Sequence, residues 1–160
     1  ADNPDGKRGP AVRVHADYTV KSGPQRAMDT LGEEEFERIL AEGGRIIQVN
    51  VWRPITGPVE SAPLALADSA SIPMEDLIAT DQRFPTRVGE IYSLAHGNTH
   101  RWYYAPKMTP DEVILIKGWD SINDGRARFT PHGAFDHPDE TKTSKPRESI
   151  ETRTYLVFEN

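Results

Sequence analysis

Short segments of apolar or alternating residues, separated by turn residues, recur along this chain and constrain its fold more than any other feature. Side chains of a strand alternate between two faces, and strands usually end at residues that favour turns. Such turn residues stand at Pro58, Gly97, Pro110 and Gly125. The predicted strands are 11–16, 45–52, 62–67, 88–95, 100–104, 112–119, 127–134 and 148–158. Their shortness and spacing indicate an antiparallel sandwich or barrel rather than β-α-β units.

One amphipathic helix is predicted ahead of the second strand. Thr30 is a suitable N-cap, the glutamates at 33–35 suit the positive end of a helix dipole, and the glycines at 43–44 end the pattern. The apolar stripe of this helix would consist of Phe36, Ile39 and Leu40.

Length and composition limit the classes of function. A chain of 160 residues is expected to form one domain, residues 1–160, and no apolar run approaches the roughly 20 residues of a membrane helix. The net charge of −6 argues against nucleic acid as the main partner and favours small molecules or proteins. Without cysteine, any metal must be held by histidines and carboxylates. No signal-peptide pattern is visible, so a cytoplasmic location is expected, and a chain that begins at Ala1 without Met is expected to be a piece of something longer.

Three residues are candidate metal ligands. His15 and Asp17 are two apart in the strand-like text VRVHADYT, so their side chains are expected on one face. His132 lies in a later strand, between Phe129 and Phe135. The pair at 15 and 17 also fits a half-exposed strand with a polar edge, and a histidine among apolar neighbours also fits a satisfied core residue.

The last predicted strand carries a candidate carboxylate-binding pair. Arg147 and Ser149 are two apart in PRESIETRTYLVF, and a guanidinium beside a hydroxyl can bind a carboxylate. Arg153 lies on the same face and is the alternative anchor. Arg147 is favoured because it comes first along the strand and has Ser149 beside it.

Other polar and aromatic residues allow two interpretations each. Asn50 could contact a ligand carboxylate or the substrate, and Arg53 could bind an acidic group, or could be a strand-end arginine paired with a carboxylate. His100, with Trp102 and Tyr104, could line a pocket or belong to an aromatic core. The other two histidines are expected in a turn, at His96, and in a solvated loop, at His137.

Several long segments, taken in order, resemble one family of enzymes. They are IQVNVWRPI at 47–55, PLALADS at 63–69, HRWYYAPKMTPDEVILIKGWDS at 100–121, RFTPHGAF at 128–135 and PRESIETR at 146–153, together with the His-x-Asp text at 15–17. The chain resembles, from about residue 12 to its end, the Fe(II)/2-oxoglutarate-dependent oxygenases named for the cephamycin C-7 hydroxylase component and for a gibberellin-desaturase annotation, which include fungal and bacterial tailoring enzymes of natural products.

The resemblance implies a mainly β fold, a double-stranded β-helix (a jelly-roll, cupin-like barrel) with one or two peripheral helices. It implies that His15, Asp17 and His132 hold Fe(II), that Arg147 and Ser149 bind 2-oxoglutarate, and that O2 is the oxidant, with hydroxylation, desaturation or cyclisation of a C–H substrate. Relatives usually carry a substantial segment ahead of His-x-Asp, whereas 14 residues precede His15 here. The given chain is therefore expected to lack an N-terminal segment that relatives have.

Two other classes of protein share parts of this pattern. A cupin-like small-molecule binding module would have the same barrel without needing Arg147 and Ser149. An inactive partner subunit is the second alternative, because some relatives act with another protein; homo-oligomers or a protein partner therefore stay open.

Overall fold

The computed structural model describes residues 9–160, which form two antiparallel sheets and two helices. The helices are α1 (Ser22–Leu31) and α2 (Glu33–Ala41). The strands are β1 (His15–Ala16), β2 (Arg45–Pro54), β3 (Leu64–Ala67), β4 (Leu77–Arg83), β5 (Val88–Leu94), β6 (Trp102–Tyr104), β7 (Ile114–Asp120), β8 (His132–Ala134) and β9 (Ser149–Phe158). A six-stranded sheet has the order β4-β5-β1-β8-β3-β6, and a three-stranded sheet has the order β7-β2-β9.

The two sheets share a core in two clusters. One cluster joins Ile46 and Trp119 of the small sheet to Ala16 and Tyr92 of the large sheet, and the helices close it with Phe36 and Ile39. The other joins Trp52 and Ile116 of the small sheet to Leu64 of the large sheet. Side chains at even positions of β2 therefore face the space between the sheets, and a site built there is shielded from water.

The helical region differs from the prediction in where it begins. Thr30 lies inside α1, where its hydroxyl donates to the carbonyl of Arg26, and so it caps no helix. Gly32 separates the helices with a φ of 91°, a left-handed conformation that glycine adopts without steric cost. The glutamates at 33–35 do occupy the first turn of α2, as predicted. Helix α1 was not predicted, because its sequence SGPQRAMDTL carries Gly23 and Pro24 in the first turn, a pair that usually indicates a turn.

Most predicted strands are present, with shorter bounds at several places. The segment predicted at 11–16 contributes only the two residues of β1, and the one predicted at 127–134 contributes only β8. Strand β4 was missed because its residues are mostly exposed, and it is held by pairing with β5 along its whole length. Within residues 9–160, no helix has the length and apolar character that crossing a membrane requires.

Candidate metal centre

Three of the predicted ligands come together between the sheets. Strand β1 pairs with both β5 and β8, and this places His15 directly opposite His132, with ring centroids 4.7 Å apart. Asp17 follows β1 and is buried. One ligand atom from each of the three residues lies within 4.8 Å of the other two. The residues that the sequence and the family resemblance suggested as ligands are therefore neighbours in space.

Both imidazoles are held in the same tautomer by backbone carbonyls. His15 Nδ1 donates to the carbonyl of Arg13, and His132 Nδ1 donates to that of Thr130, each over 2.9 Å. Since a carbonyl only accepts, Nδ1 carries the proton, and Nε2 of the neutral ring is left with a lone pair. The Nε2 atoms lie 3.8 Å and 3.9 Å from the two carboxylate oxygens of Asp17. Metal-binding histidines commonly donate their other ring N–H to a backbone carbonyl in this way.

The Asp17 carboxylate is held on both of its oxygens. Arg153 Nη2 donates to Oδ1 over 2.8 Å, and the side-chain amide of Asn50 donates to Oδ2. Burial lowers the pKa of the Arg153 guanidinium, but the attraction of Asp17 and Tyr18 outweighs it and the pKa is raised overall. Asn50 and Arg153 are directly opposite each other on β2 and β9, so both reach Asp17 from the small sheet.

The donor set has the chemistry of a non-haem iron site. Two neutral imidazoles and one carboxylate on a single side of a metal leave further coordination positions open, which is the facial arrangement of Fe(II) oxygenases. Two of the three residues are buried and His15 is partly exposed, so the centre is shielded yet reachable. The side chains present therefore fit Fe(II).

Arg147 is partly buried, and its guanidinium packs against Trp52 of β2. Its guanidinium carbon lies 5.3 Å from the ring centre of Trp52, two residues along β2 from Asn50, and Nη1 donates to the carbonyl of Ala62. Its Nε is buried without a hydrogen-bond partner, and burial lowers the pKa of the group. Within residues 9–160 it forms no ion pair with a carboxylate, unlike Arg153. Ser149 begins β9 opposite Pro54 and is half-buried.

Arg53, predicted to bind an acidic group or to pair with a carboxylate at the strand end, lies away from this cluster. Its side chain is exposed and donates to the carbonyl of Pro110 over 3.3 Å. Because side chains alternate along β2, Arg53 points to the face opposite that of Trp52 and Asn50, away from the space between the sheets. Asn50, also predicted to bind ligand, contacts Asp17 instead, and the contact of Arg153 with Asp17 was missed; no sequence spacing links residues 136 positions apart.

The remaining histidines lie outside the centre. The side chain of His100 is 4% exposed, and its Nε2 lies 2.8 Å from Asp76 Oδ2. His137 was expected to be solvated, but its Nε2 lies 2.8 Å from the hydroxyl of Tyr104. Tyr104 and Trp102 line a cavity of about 350 Å³ together with Ala65 and Gly133. Pairing of β3, β6 and β8 puts these residues on the sheet face opposite that of His132.

Comparisons with known proteins identify a family and several relatives. A family described as "Oxidoreductase/YMDC permease-like domain" matches residues 1–158. Aspirochlorine biosynthesis protein N of Aspergillus oryzae is 39% identical over 130 residues, which are 79% of this chain and 53% of that protein. The hydroxylase/desaturase CTB9 of Cercospora beticola is 35% identical over 161 residues, which cover 94% of this chain and 48% of that protein.

A solved structure has a closely similar fold. It is titled iron and alpha-ketoglutarate-dependent endoperoxidase NvfI, and it superposes with a TM-score of 0.86 at 32% identity, over 99% of this chain and 57% of that one. The chain therefore spans about half the length of the relatives it matches.

Proposed function

Because this chain belongs to the Oxidoreductase/YMDC permease-like family, and because its two imidazoles and one carboxylate converge between the sheets, we propose that it is an Fe(II)/2-oxoglutarate-dependent dioxygenase. It would oxidise a C–H bond of a small natural-product-like substrate by hydroxylation, desaturation or cyclisation and release succinate and CO2. The observation that carries the proposal is the cluster of His15, Asp17 and His132, in which both Nε2 lone pairs face a buried carboxylate. The similarity to iron and 2-oxoglutarate enzymes supports it.

The protein residues have separate tasks in this proposal. His15, Asp17 and His132 hold the metal, and the backbone carbonyls of Arg13 and Thr130 accept the Nδ1 protons of the two rings, which leaves Nε2 as the metal-binding nitrogen. When bound, iron supplies the activation of O2 that no side chain can supply. Burial between the sheets keeps bulk water away from the reacting carbon.

Arg147 and Ser149 would bind the far carboxylate of 2-oxoglutarate. A buried guanidinium without a carboxylate partner is costly, and a ligand carboxylate would supply the missing charge and accept a hydrogen bond from the free Nε. Trp52 supports the guanidinium through its ring face. The ligand carboxylate would therefore meet the Arg147 guanidinium just before β9 and the Ser149 hydroxyl at its first residue.

The barrel, the domain bounds and the narrower family are part of the same proposal. The antiparallel sheets are proposed to form a double-stranded β-helix barrel, residues 1–160 to be one oxygenase domain, and the family to be that of the cephamycin C-7 hydroxylase component and the gibberellin-desaturase annotation. A cytoplasmic location and a homo-oligomer or protein partner stay predictions. The activity of relatives in natural-product biosynthesis, such as that named for aspirochlorine, indicates the class of substrate.

Metal binding and 2-oxoglutarate turnover test the proposal together. Anaerobic titration with Fe(II) should show one equivalent bound per chain, and the matched Asp17→Ala variant should bind none. With Fe(II), 2-oxoglutarate and O2, the wild-type protein should release succinate, faster when an accepted metabolite is present. Binding of metal without any succinate release over a broad metabolite set would favour the cupin-like binding module instead.

A further inference from the structure

We propose that Gln48 and Asn50 form a relay of side-chain amides that fixes the orientation of the Asp17 carboxylate, and that Gly118 makes room for this relay. The inference rests on the proposed metal site and assigns positioning residues to it. Both amides are fully buried on β2, at consecutive positions of the face that looks between the sheets.

The direction of each hydrogen bond in the relay is determined by Asp17. A carboxylate accepts and does not donate, so Asn50 must turn its NH2 group toward Oδ2 of Asp17. The carbonyl oxygen of Asn50 then faces Gln48, whose NH2 group donates to it over 2.6 Å. The orientation of one amide therefore sets the other, in the order Gln48, Asn50, Asp17.

Gln48 is placed at the cost of one unsatisfied atom. Its Oε1 is buried and has no hydrogen-bond partner, and it occupies the space where a β-carbon on Gly118 would lie. A side chain chosen for stability alone would carry no polar atom there, because a buried unpaired oxygen is unfavourable. The amide is therefore explained by the hydrogen bond that its other end makes to Asn50.

The relay acts together with Arg153 on the other carboxylate oxygen. Arg153 holds Oδ1 and Asn50 holds Oδ2, and these two contacts restrain rotation of the carboxylate plane, so that Oδ1 stays 3.8 Å from His15 Nε2 and Oδ2 stays 3.9 Å from His132 Nε2. Outer groups of this kind commonly change metal affinity by about 10–100-fold. Gln48 and Asn50 are positioning residues, since neither is proposed to touch the metal.

Metal affinity and the visible spectrum of Co(II) test the relay without measuring activity. Asn50→Leu removes the donor to Asp17, and Gly118→Ala displaces the flexible end of Gln48 while keeping the side chains of Asn50 and Asp17; the added β-carbon also comes within 3.1 Å of Tyr18 Cδ2. Gly89→Ala is the matched control, because a β-carbon there meets no atom closer than 3.5 Å. The Kd of Co(II) and its ligand-field bands are measured for the wild-type protein and all three variants, after circular dichroism has verified folding.

The expected result is a Kd raised about 10–100-fold in Asn50→Leu, a smaller rise in Gly118→Ala, altered Co(II) bands in both, and wild-type values in Gly89→Ala. If Asn50→Leu does not fold, Gly118→Ala decides. Wild-type affinity and bands in Gly118→Ala, or a change of equal size in Gly89→Ala, would overturn the relay while the metal site stands. A wild-type protein that binds no Co(II) would refute the proposed function itself.

Discussion

Asp17 and Asp120 are both buried, and both form an ion pair with an arginine of the small sheet, yet their surroundings differ. Asp120 receives two hydrogen bonds from Arg45 and one each from Lys117 and the backbone N–H of Ile122. Asp17 receives hydrogen bonds from Arg153 and Asn50, and in addition faces two imidazole lone pairs at 3.8 Å and 3.9 Å.

The neighbours of the two carboxylates differ in kind. Burial and an arginine partner are common to both sites, so neither property points to catalysis. The hydrogen bonds that Asp120 accepts come from Arg45, Lys117 and Ile122, so the protein itself matches its charge. Asp17 lies beside two imidazoles whose Nδ1 atoms bond to backbone carbonyls, and this grouping is the reason why we propose Asp17, and not Asp120, as a metal ligand.

Loss of a histidine from the centre should have the largest effect. In His132→Ala the site keeps one imidazole and Asp17, so the Kd of Fe(II), or of Mn(II) as an inert substitute, should rise by more than the roughly 10–100-fold that an outer-shell loss costs. His137→Ala removes a histidine that contacts Tyr104 on another face of the sheet, and should leave the Kd unchanged. The comparison requires isothermal titration of both variants without O2; equal losses would refute the ligand assignment.

Exchanging each aspartate for asparagine should separate metal binding from stability. Burial raises the pKa of Asp120, but the hydrogen bonds from Arg45, Ile122 and Lys117 outweigh this and lower it from 3.8 to about 2. A shift of this size corresponds to about 2 kcal/mol of stability at neutral pH. Asp120→Asn should lose about that much in urea unfolding and keep its metal affinity, whereas Asp17→Asn should lose metal binding.

The pH dependence of that loss has a definite sign. Since the pKa of Asp120 is lower in the folded than in the unfolded protein, its contribution is complete above pH 4 and is lost as the pH falls toward 2. The difference in free energy of unfolding between wild type and Asp120→Asn should therefore shrink over this range. A difference that stays constant from pH 7 to pH 3 would show that shape rather than charge accounts for it.

The proposed metal ligands could be predicted from the sequence more fully than the contacts that surround them. Period-two alternation placed His15 and Asp17 on one face, and the similarity to known enzymes added His132, because ligand identity depends on local chemistry that short motifs record. The same alternation places the side chain of Arg53 on the face of β2 opposite that of Trp52. The sequence did not indicate which of these faces lies inward, because the strand is buried on both sides. Contacts such as Arg153 with Asp17 join residues far apart in sequence, and they depend on sheet pairing that no local pattern records.

The fold was predictable to a similar extent. Strands with strong alternation or apolar runs were found, and the acidic first turn of α2 marked its start. Strand β4 was missed because its sequence LIATDQR shows no strict alternation and most of its residues are exposed; it pairs with β5, and Leu77 packs against the core. Helix α1 was missed because Gly23 and Pro24 in its first turn usually indicate a turn, although Ala27 belongs to the core.

Arg147, which precedes β9, and Arg153 of β9 extend the comparison to ligand binding, with the smallest expected effect. Arg153 is already paired with Asp17, whereas Arg147 has no carboxylate partner within the described residues and keeps a buried Nε unbonded.

Arg147→Lys keeps the charge but loses the fork that binds a carboxylate through two parallel hydrogen bonds. The Kd of 2-oxoglutarate, measured anaerobically with Mn(II) bound, should rise about tenfold, equivalent to about 1.4 kcal/mol, while the Kd of Mn(II) stays near wild type. Arg153→Lys should change the Kd of 2-oxoglutarate much less, because its guanidinium is occupied by Asp17. If Arg153→Lys is the more damaging change, the anchor lies on the Asp17 side of β9; if neither variant alters the Kd, 2-oxoglutarate is not the cosubstrate.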